Sequence, residues 1–187
     1  SVLHPYSRAA LAGAFPELQG TKIANVPANS VEKFFRTGVI RTTSVNMSTA
    51  LGNNSSFSAN YGYTDDEGFT PGNRVIKNNF GMGGNVKLAN NFMFTGTFNY
   101  ATTDFKSPPT STSFGSNPNV SSIFGNLLYT PRSVDIQGLP WENPIDKSSV
   151  YYRPGNDIQH PIWTVNNSFS GQKINRIFGN MALKYDI

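Results

Sequence analysis

Apolar and polar side chains alternate through residues 76–88, as they do in a β-strand that has one apolar and one polar face. The apolar positions of this run are Ile76, Phe80, Met82, Val86 and Leu88. The polar positions are Lys77, Asn79, Asn85 and Lys87. The run is longer than an ordinary globular strand and suits a tilted crossing of a bilayer, which takes about 9–11 residues.

Four other segments alternate in the same way, and strands are predicted at 39–51, 55–65, 75–88, 92–103 and 174–187. Their connections are short turns at 52–54 and 89–91, an intermediate link at 66–74 and a very long stretch at 104–173. Short periplasmic turns and long extracellular loops are typical of outer-membrane barrels. The predicted fold class is all-β, an antiparallel transmembrane β-barrel segment of about five strands with a long extracellular loop that contains short helices.

The chain is therefore expected to divide into four regions. Residues 1–38 form an irregular loop region with a short helix, which Asn29 or Ser30 caps and Gly38 ends. Four transmembrane strands occupy 39–103, the extracellular loop 104–173, and a last transmembrane strand 174–187. In the loop, one helix is predicted to begin near 117–119 and another at Pro161. The first would carry Ile123, Phe124, Leu127 and Leu128 on one face.

A barrel wall assigns the two strand faces to lipid and to the lumen. The residues predicted to face lipid are Val45, Met47, Tyr61, Phe80, Met82, Phe92, Phe94, Phe98 and Tyr100. The residues predicted to line the lumen are Asn46, Lys77, Asn79, Asn85, Lys87, Thr95 and Asn99. Arg41 departs from this segregation near a strand end.

Composition supports a strand-based protein. Of 187 residues, 37% are hydrophobic and 14% charged, which fits neither a helical bundle nor a membrane helix. Hydropathy alone would indicate a soluble protein, but barrel strands are half polar and escape that test. The net charge is +4, yet the 15 Lys and Arg residues are scattered, so no nucleic-acid partner is expected. The chain has no cysteine, which excludes thiolate metal sites and disulfides within it.

Few residues are candidates for metal binding or catalysis. Asp65, Asp66 and Glu67 precede Gly68 and could bind calcium, although the full calcium-loop pattern is absent and solvated acids at a loop tip are the favoured interpretation. His4 and His160 each precede a proline and have no acidic or cysteine neighbour at metal-ligand spacing. No nucleophile and base set is visible, so we expect no enzyme, no cofactor and no metal.

The long loop carries aromatic residues outside any strand pattern, namely Trp141, Tyr151, Tyr152 and Trp163. Long ordered loops are usually functional, and aromatic rings stack on sugars and peptides. These four residues are candidates for a substrate or partner surface. Packing within the loop is an equally good account of them.

Several segments together resemble the SusC/RagA family of TonB-dependent outer-membrane transporters. They are NSVEKFFRTG at 29–38, YGYTDDEG at 61–68 with Pro71 after it, KNNF at 77–80, LPWENP at 139–144, PIWT at 161–164 and NR at 175–176 before Gly179, Asn180 and Leu183. The likeness covers nearly all of residues 29–187. The pieces follow the order and spacing of the middle of that family's barrel.

The resemblance implies a barrel of about 22 strands in the outer membrane of a Gram-negative bacterium. Such transporters import oligosaccharides or peptides beneath a SusD-like surface lipoprotein, using energy transmitted by TonB. The implied partners are the rest of the barrel and its plug, the SusD-like lipoprotein, TonB through a missing amino-terminal part, outer-membrane lipid and the barrel-assembly machinery.

Five strands cannot close a barrel of that size and would leave two open edges in lipid. We therefore expect the sequence to be a portion of a larger polypeptide, or to be completed by another chain. The alternative from another class is a surface or secreted glycan-binding β-sandwich, in which the same alternation would bury the aromatics between two sheets.

Overall fold

A computed structural model of the chain describes residues 1–52, 54–89, 91–109, 123–153 and 159–185. In these ranges the strands are β1 (Val2–Leu3), β2 (Lys22–Ile23), β3 (Val39–Gly52), β4 (Ser55–Glu67), β5 (Arg74–Ala89), β6 (Phe92–Ser107) and β7 (Ser170–Tyr185). The α-helices are α1 (Ser30–Phe34), α2 (Ile123–Tyr129) and α3 (Pro161–Asn167). Two 3-10 turns lie at Ala9–Leu11 and Pro16–Leu18.

Strands β3 to β7 form one sheet in sequence order, and β1 pairs with β2 in a small second sheet. The β3–β4, β4–β5 and β5–β6 pairs are antiparallel. At the β6–β7 pair, the rings of Phe92 and Tyr185 lie 4.6 Å apart and Thr97 hydrogen-bonds Asn180, so this pair is antiparallel too. The prediction of an all-β, antiparallel chain is confirmed.

All five predicted strands of the large sheet exist, and most extend beyond their predicted ends. Strand β4 continues to Glu67, β6 continues to Ser107 and β7 begins at Ser170. The placement of Asp65, Asp66 and Glu67 at a loop tip is therefore wrong. The strand pairing continues through these charged residues, since Glu67 pairs with Val39 on β3 and Arg74 pairs with Lys106 on β6. The centres of the two predicted tight turns, Asn53 and Asn90, lie outside the described residues.

Contacts between Cα atoms divide the chain into two compact units. The sheet unit comprises Gly38–Glu67, Arg74–Lys106 and Gly171–Ile187. The loop unit comprises Ser1–Thr37, Gly68–Asn73 and Ser107–Ser170. The loop unit holds both clusters of buried apolar side chains.

The first cluster joins the start of the chain to the long loop. Tyr6, Leu11 and Phe15 pack with Val150, and the Tyr6 hydroxyl donates to the carbonyl oxygen of Pro140 at 2.5 Å. Arg8 donates to the carbonyl oxygen of Tyr151 at 3.0 Å. Much of residues 1–38, predicted as an irregular region with a short helix, thus completes a core whose other half comes later in the chain.

The second cluster packs α1 against α2. Phe34 lies with Ile123, Leu127 and Ile136. The predicted end of α1 at Gly38 is wrong, because Phe35 is already extended, with φ −81° and ψ 156°. In that conformation the Phe35 ring contacts the rings of Phe69 and Phe124.

The start of α1 also differs from the predicted cap. Asn29 occupies the N-cap position with φ 52°, but its side chain makes no capping bond. Ser30 uses its hydroxyl at long range instead, donating to Val134 O at 2.7 Å and accepting from Ile136 N at 3.0 Å. Tertiary hydrogen bonds thus replace the local cap that the sequence suggested.

The two loop helices were partly predicted. Helix α3 begins at Pro161 and contains Trp163, as expected. The predicted start of the other helix at 117–119 lies outside the described residues, and α2 is described from Ile123. Its buried face includes Ile123 and Leu127, whereas Leu128 is 67% exposed, so the assignment of Leu128 to that face is wrong.

Candidate functional site

The register of the large sheet places the predicted lipid-facing residues on one face. Val45 pairs with Tyr61, Tyr61 with Phe80 and Phe80 with Tyr100, which makes one row across four strands. A second row runs from Met47 through Ala59 and Met82 to Phe98. All nine predicted lipid-facing side chains are exposed, from 36% at Phe94 to 60% at Val45. We call this surface the apolar face.

Strand β7 extends the apolar face. Phe92 contacts Tyr185, and the alternating positions before Tyr185 are Leu183, Met181 and, after Gly179, Ile177. These side chains are also exposed, reaching 84% at Met181. The apolar face is therefore continuous across five strands and uncovered in this chain, which is far more exposed apolar surface than a soluble monomer usually carries.

Charged side chains of the apolar face gather at one end. Strand alternation places on it Arg41, Asp65, Glu67, Arg74, Asp104, Lys106 and Lys173. All lie at the loop end of the sheet, where 68–73 joins β4 to β5, and among described residues the remainder of the apolar face has none. Sequence reasoning noted only Arg41. The other charged residues could have been assigned to this face from the sequence, because alternate positions of a strand point to the same face.

The predicted lumen-lining residues lie on the opposite, polar face. One row pairs Asn46 with Asn60, Asn60 with Gly81 and Gly81 with Asn99. Asn85 accepts a hydrogen bond from Ser56 and donates to Asn54 O at 2.5 Å. Lys77, Asn79, Lys87 and Thr95 share this face by alternation along β5 and β6. The predicted division into two faces is thus present in the sheet, while its assignment to lipid and lumen stays a prediction.

Strand β5 contains Gly81, Gly83 and Gly84, and the surroundings of Gly81 and Gly84 differ between the two faces. Gly81, on the polar face, is buried, and a β-carbon there would meet the side-chain oxygens of Asn60 and Asn99. Gly84, on the apolar face, lies against Ser56 O, only 2.5 Å from where its β-carbon would be. Gly84 pairs with Gly96, and because neither has a side chain, they line an open pocket of about 290 Å³. At both positions a side chain would crowd the neighbouring strand.

The acidic segment is part of the ladder and does not form a cluster. Asp65 is 7% exposed and accepts two hydrogen bonds of 2.7 Å from Arg74. Because successive strand residues point to opposite faces, the Asp66 side chain points away from those of Asp65 and Glu67. Among the described residues, no group of three or more acidic, histidine or cysteine side chains is placed to hold a metal ion.

The four loop aromatics are all engaged within the loop unit. Tyr151 is 3% exposed, its hydroxyl bonds Thr130 and donates to Asn126 O at 2.8 Å, and burial raises its pKa to about 12. Trp163 donates its indole N–H to Lys147 O at 2.9 Å. The Tyr152 hydroxyl donates to Tyr129 O at 3.2 Å, and the backbone carbonyl oxygen of Trp141 accepts from Val150 N at 3.0 Å. Tyr151 is therefore a core residue, whereas Trp141, Tyr152 and Trp163 are half-buried and keep accessible surface.

Both histidines are buried and serve the backbone. His4 Nδ1 accepts from Tyr6 N at 3.1 Å, and His160 Nδ1 accepts from Ile162 N at 3.2 Å. Burial lowers the pKa of His4, and it lowers the pKa of His160 to about 4. Sequence reasoning missed this structural role, although the shared His-Pro dipeptide was its signal. Because proline lacks an N–H, the imidazole reaches the next donor along the chain.

No helix in the described ranges has the length and apolar character needed to span a membrane. Compared with known proteins, the chain matches no family model and no curated protein.

Proposed function

We propose that this chain forms part of the wall of a TonB-dependent outer-membrane transporter of the SusC/RagA kind. The observation that carries the proposal is the apolar face, which is continuous over five antiparallel strands and free of charge away from its loop end. An exposed surface of this kind is stable when a solvent other than water covers it. Hydrocarbon is the solvent that matches its composition.

The dimensions of the apolar face support a bilayer crossing. From Ile76 to Leu88 the apolar alternation on β5 extends about 40 Å along the strand, at about 3.4 Å per residue. At the tilt of about 35–45° that barrel strands adopt, this length corresponds to a height of roughly 30 Å. The apolar band of outer-membrane barrels is about 25 Å tall, so the strand is long enough to cross it.

The polar face suits a water-filled interior. Asn, Ser, Thr and Lys side chains dominate it, and its uncharged members are hydrogen-bonding groups that water and sugar hydroxyls both satisfy. Lumen-facing residues of this chemistry tune what a barrel admits. The sequence resemblance is the basis for proposing that the transporter imports oligosaccharide or peptide. It is also the basis for proposing a SusD-like lipoprotein and TonB as partners.

The edges of the sheet set a requirement for this function. Strands β3 and β7 are the edge strands of the large sheet. Unpaired backbone N–H and C=O groups in hydrocarbon each cost several kcal/mol, so further strands must pair with both edges. Those strands, together with a plug, would come from a larger polypeptide or from another chain.

The glycan-binding sandwich is less well supported. A sandwich needs a second sheet of comparable size to cover the apolar face. The other sheet in the described residues consists of β1 and β2, each two residues long. In addition, β5, β6 and β7 are 16 residues long, well beyond the usual strand length of about 5–6.

The proposal is tested on the full-length polypeptide that carries this sequence, in membranes of its source. Its denatured mass is measured, and its electrophoretic migration is compared with and without boiling. We expect a chain several times longer than 187 residues, extracted only by detergent, whose migration shifts on boiling because a closed barrel resists detergent. A product of this length that stays in aqueous solution without detergent would refute the proposal.

A further inference from the structure

An ion pair lies at the charged loop end of the apolar face. Asp65 lies between two arginines, since Arg41 is its direct partner on β3 and Arg74 binds it from β5. The Arg74 side chain donates Nε to Oδ1 and Nη2 to Oδ2, both at 2.7 Å. Arg74 thus binds the carboxylate and Arg41 lies beside it on the neighbouring strand, so these three residues together carry a net positive charge.

The arrangement fixes Arg74 without enclosing it. Asp65 is almost fully buried, with its side chain 9% exposed, whereas the Arg74 side chain is 47% exposed. The carboxylate therefore holds the guanidinium in one orientation and leaves part of it accessible. Arg41 is exposed beside it. A guanidinium group held like that of Arg74 suits phosphate, which accepts two parallel N–H donors.

The position of the trio indicates where the phosphate comes from. Ile76 pairs with Asp65 at the height of the trio, and Tyr63 lies in the next row of this face. The row after that begins the uncharged apolar part with Tyr61 and Phe80. A lipid that lays its acyl chains on that apolar surface brings its headgroup to the height of Arg41 and Arg74. Lys106 and Lys173 lie on the same face at the same end of the sheet, as do Glu67 and Asp104. With the trio, these side chains carry a net charge of +1.

We propose that Arg41 and Arg74 bind the phosphate group of an anionic membrane lipid at the loop end of the apolar face, with Asp65 as a positioning residue. This inference rests on the proposed membrane function, since it needs the apolar face to contact acyl chains. A free phosphate ion is not the intended ligand, because the apolar surface below the arginines would contribute nothing to its binding.

The test uses the full-length protein in nanodiscs of equal parts phosphatidylglycerol and phosphatidylcholine. The ratio of the two lipids that remain bound after transfer to detergent is measured by mass spectrometry. Arg41→Gln is the main variant because no hydrogen bond of the ladder depends on its side chain. Asp65→Asn combined with Arg74→Gln removes the ion pair without leaving a buried charge. Lys77→Gln is the matched control, since Lys77 lies at a similar height on the polar face.

We expect the wild type and Lys77→Gln to retain severalfold more phosphatidylglycerol than phosphatidylcholine. Arg41→Gln should lower that ratio at least threefold, and the double variant should abolish the preference. An excess of inorganic phosphate should leave the wild-type ratio unchanged. Equal retention of both lipids by the wild type, displacement by inorganic phosphate, or an equal effect of Lys77→Gln would overturn the inference.

The two proposals fail in different ways. A protein that needs detergent and shifts on boiling, but has no lipid preference, refutes the phosphate site and leaves the transporter proposal standing. A protein that is fully soluble without detergent refutes both.

Discussion

At the scale of single residues, the two buried histidines act as neutral hydrogen-bond acceptors. Each uses Nδ1 to accept from the backbone N–H two residues later, so the proton of the neutral ring lies on Nε2. At the start of α3 this contact supplies the cap that Ser or Asn usually provides. The loop unit therefore depends on His160 remaining uncharged.

Acidification should weaken the loop unit through His160. Because burial lowers its pKa from 6.5 to about 4, the unfolded chain binds more protons than the folded chain between these values. The His160 contribution to the unfolding free energy is constant above pH 6.5. It declines as pH falls toward 4, by up to about 3 kcal/mol. Hydrogen exchange of residues 123–153 at pH 5 and pH 7 measures the change.

The matched variant for this prediction is His160→Asn, which keeps an N-cap acceptor and does not titrate. Its loss of protection between pH 7 and pH 5 should be smaller than that of the wild type. An identical loss in both proteins would mean that other groups, including His4, cause the pH dependence.

Tyr151 and Tyr152 are adjacent, which allows the loss of a buried hydroxyl to be compared with the loss of a more exposed one. Tyr151→Phe removes a buried hydroxyl that bonds both Thr130 and Asn126 O, and should lower the unfolding free energy of the loop unit by about 1–3 kcal/mol. Tyr152→Phe removes an exposed bond to Tyr129 O and should cost at most about 0.5 kcal/mol. Urea denaturation followed by tryptophan fluorescence checks both. The reverse order would place Tyr152 in the core.

At the scale of secondary-structure elements, the glycines of β5 allow the neighbouring strand to approach closely. A β-carbon at Gly84 would meet backbone atoms of β4, which cannot move as a side chain can. Gly62, inside β4, has open space around the corresponding position. The two sites therefore separate close approach from the general effect of glycine in a strand.

We expect Gly84→Ala to destabilise the sheet by about 1–3 kcal/mol, because β4 and β5 must move apart. Gly62→Ala should be neutral or slightly stabilising, since alanine restricts the unfolded chain more than glycine does. Urea denaturation of the folded protein in detergent compares them. Equal effects of the two substitutions would show that the close approach at Gly84 has no energetic weight.

The sequence predicted the elements whose signal is local. Period-two alternation identified all five long strands and both faces, because each side chain's face depends only on its position within its own strand. It did not identify the pairing of Asp65 with Arg74 or the long reach of Ser30 to Val134 and Ile136. Those contacts depend on register and tertiary packing, which a single sequence does not display.

The loop unit shows the same limit. The His-Pro dipeptides and Pro161 were visible, and the helix start at Pro161 followed from them. The burial of Tyr6 against Val150 was not predictable, because these residues are far apart in the chain and no periodicity links them. The sequence therefore did not reveal that residues 1–38 contribute to a core.

At the scale of the whole molecule, we propose that one face of the sheet meets lipid and the other meets water. On this account, charge is costly on the apolar face and inexpensive on the polar face. The cost should depend on depth, being greatest near the middle of the uncharged band, where Met82 pairs with Phe98.

Met82→Arg should lower the unfolding free energy of the membrane-inserted protein by about 2–4 kcal/mol. Phe94→Arg should cost less, because Phe94 lies nearer the turn end of β6. Thr95→Arg, the next residue on the opposite face, is the control and should cost under about 1 kcal/mol. Urea unfolding in lipid vesicles gives the three values. Equal tolerance of all three substitutions would refute the orientation of the sheet.

The most direct measurement of the central claim is the solvent contacted by each position of β6. This chain contains no cysteine, so single cysteines at successive positions from 93 to 100 can each carry a nitroxide in the full-length protein, freed of any other cysteine. Collision rates with oxygen, which concentrates in lipid, and with a water-soluble nickel chelate are measured by electron paramagnetic resonance. We predict alternation with period two, in which 94, 98 and 100 favour oxygen and 95, 97 and 99 favour nickel. High nickel accessibility at every position, or alternation in the opposite phase, would contradict the account.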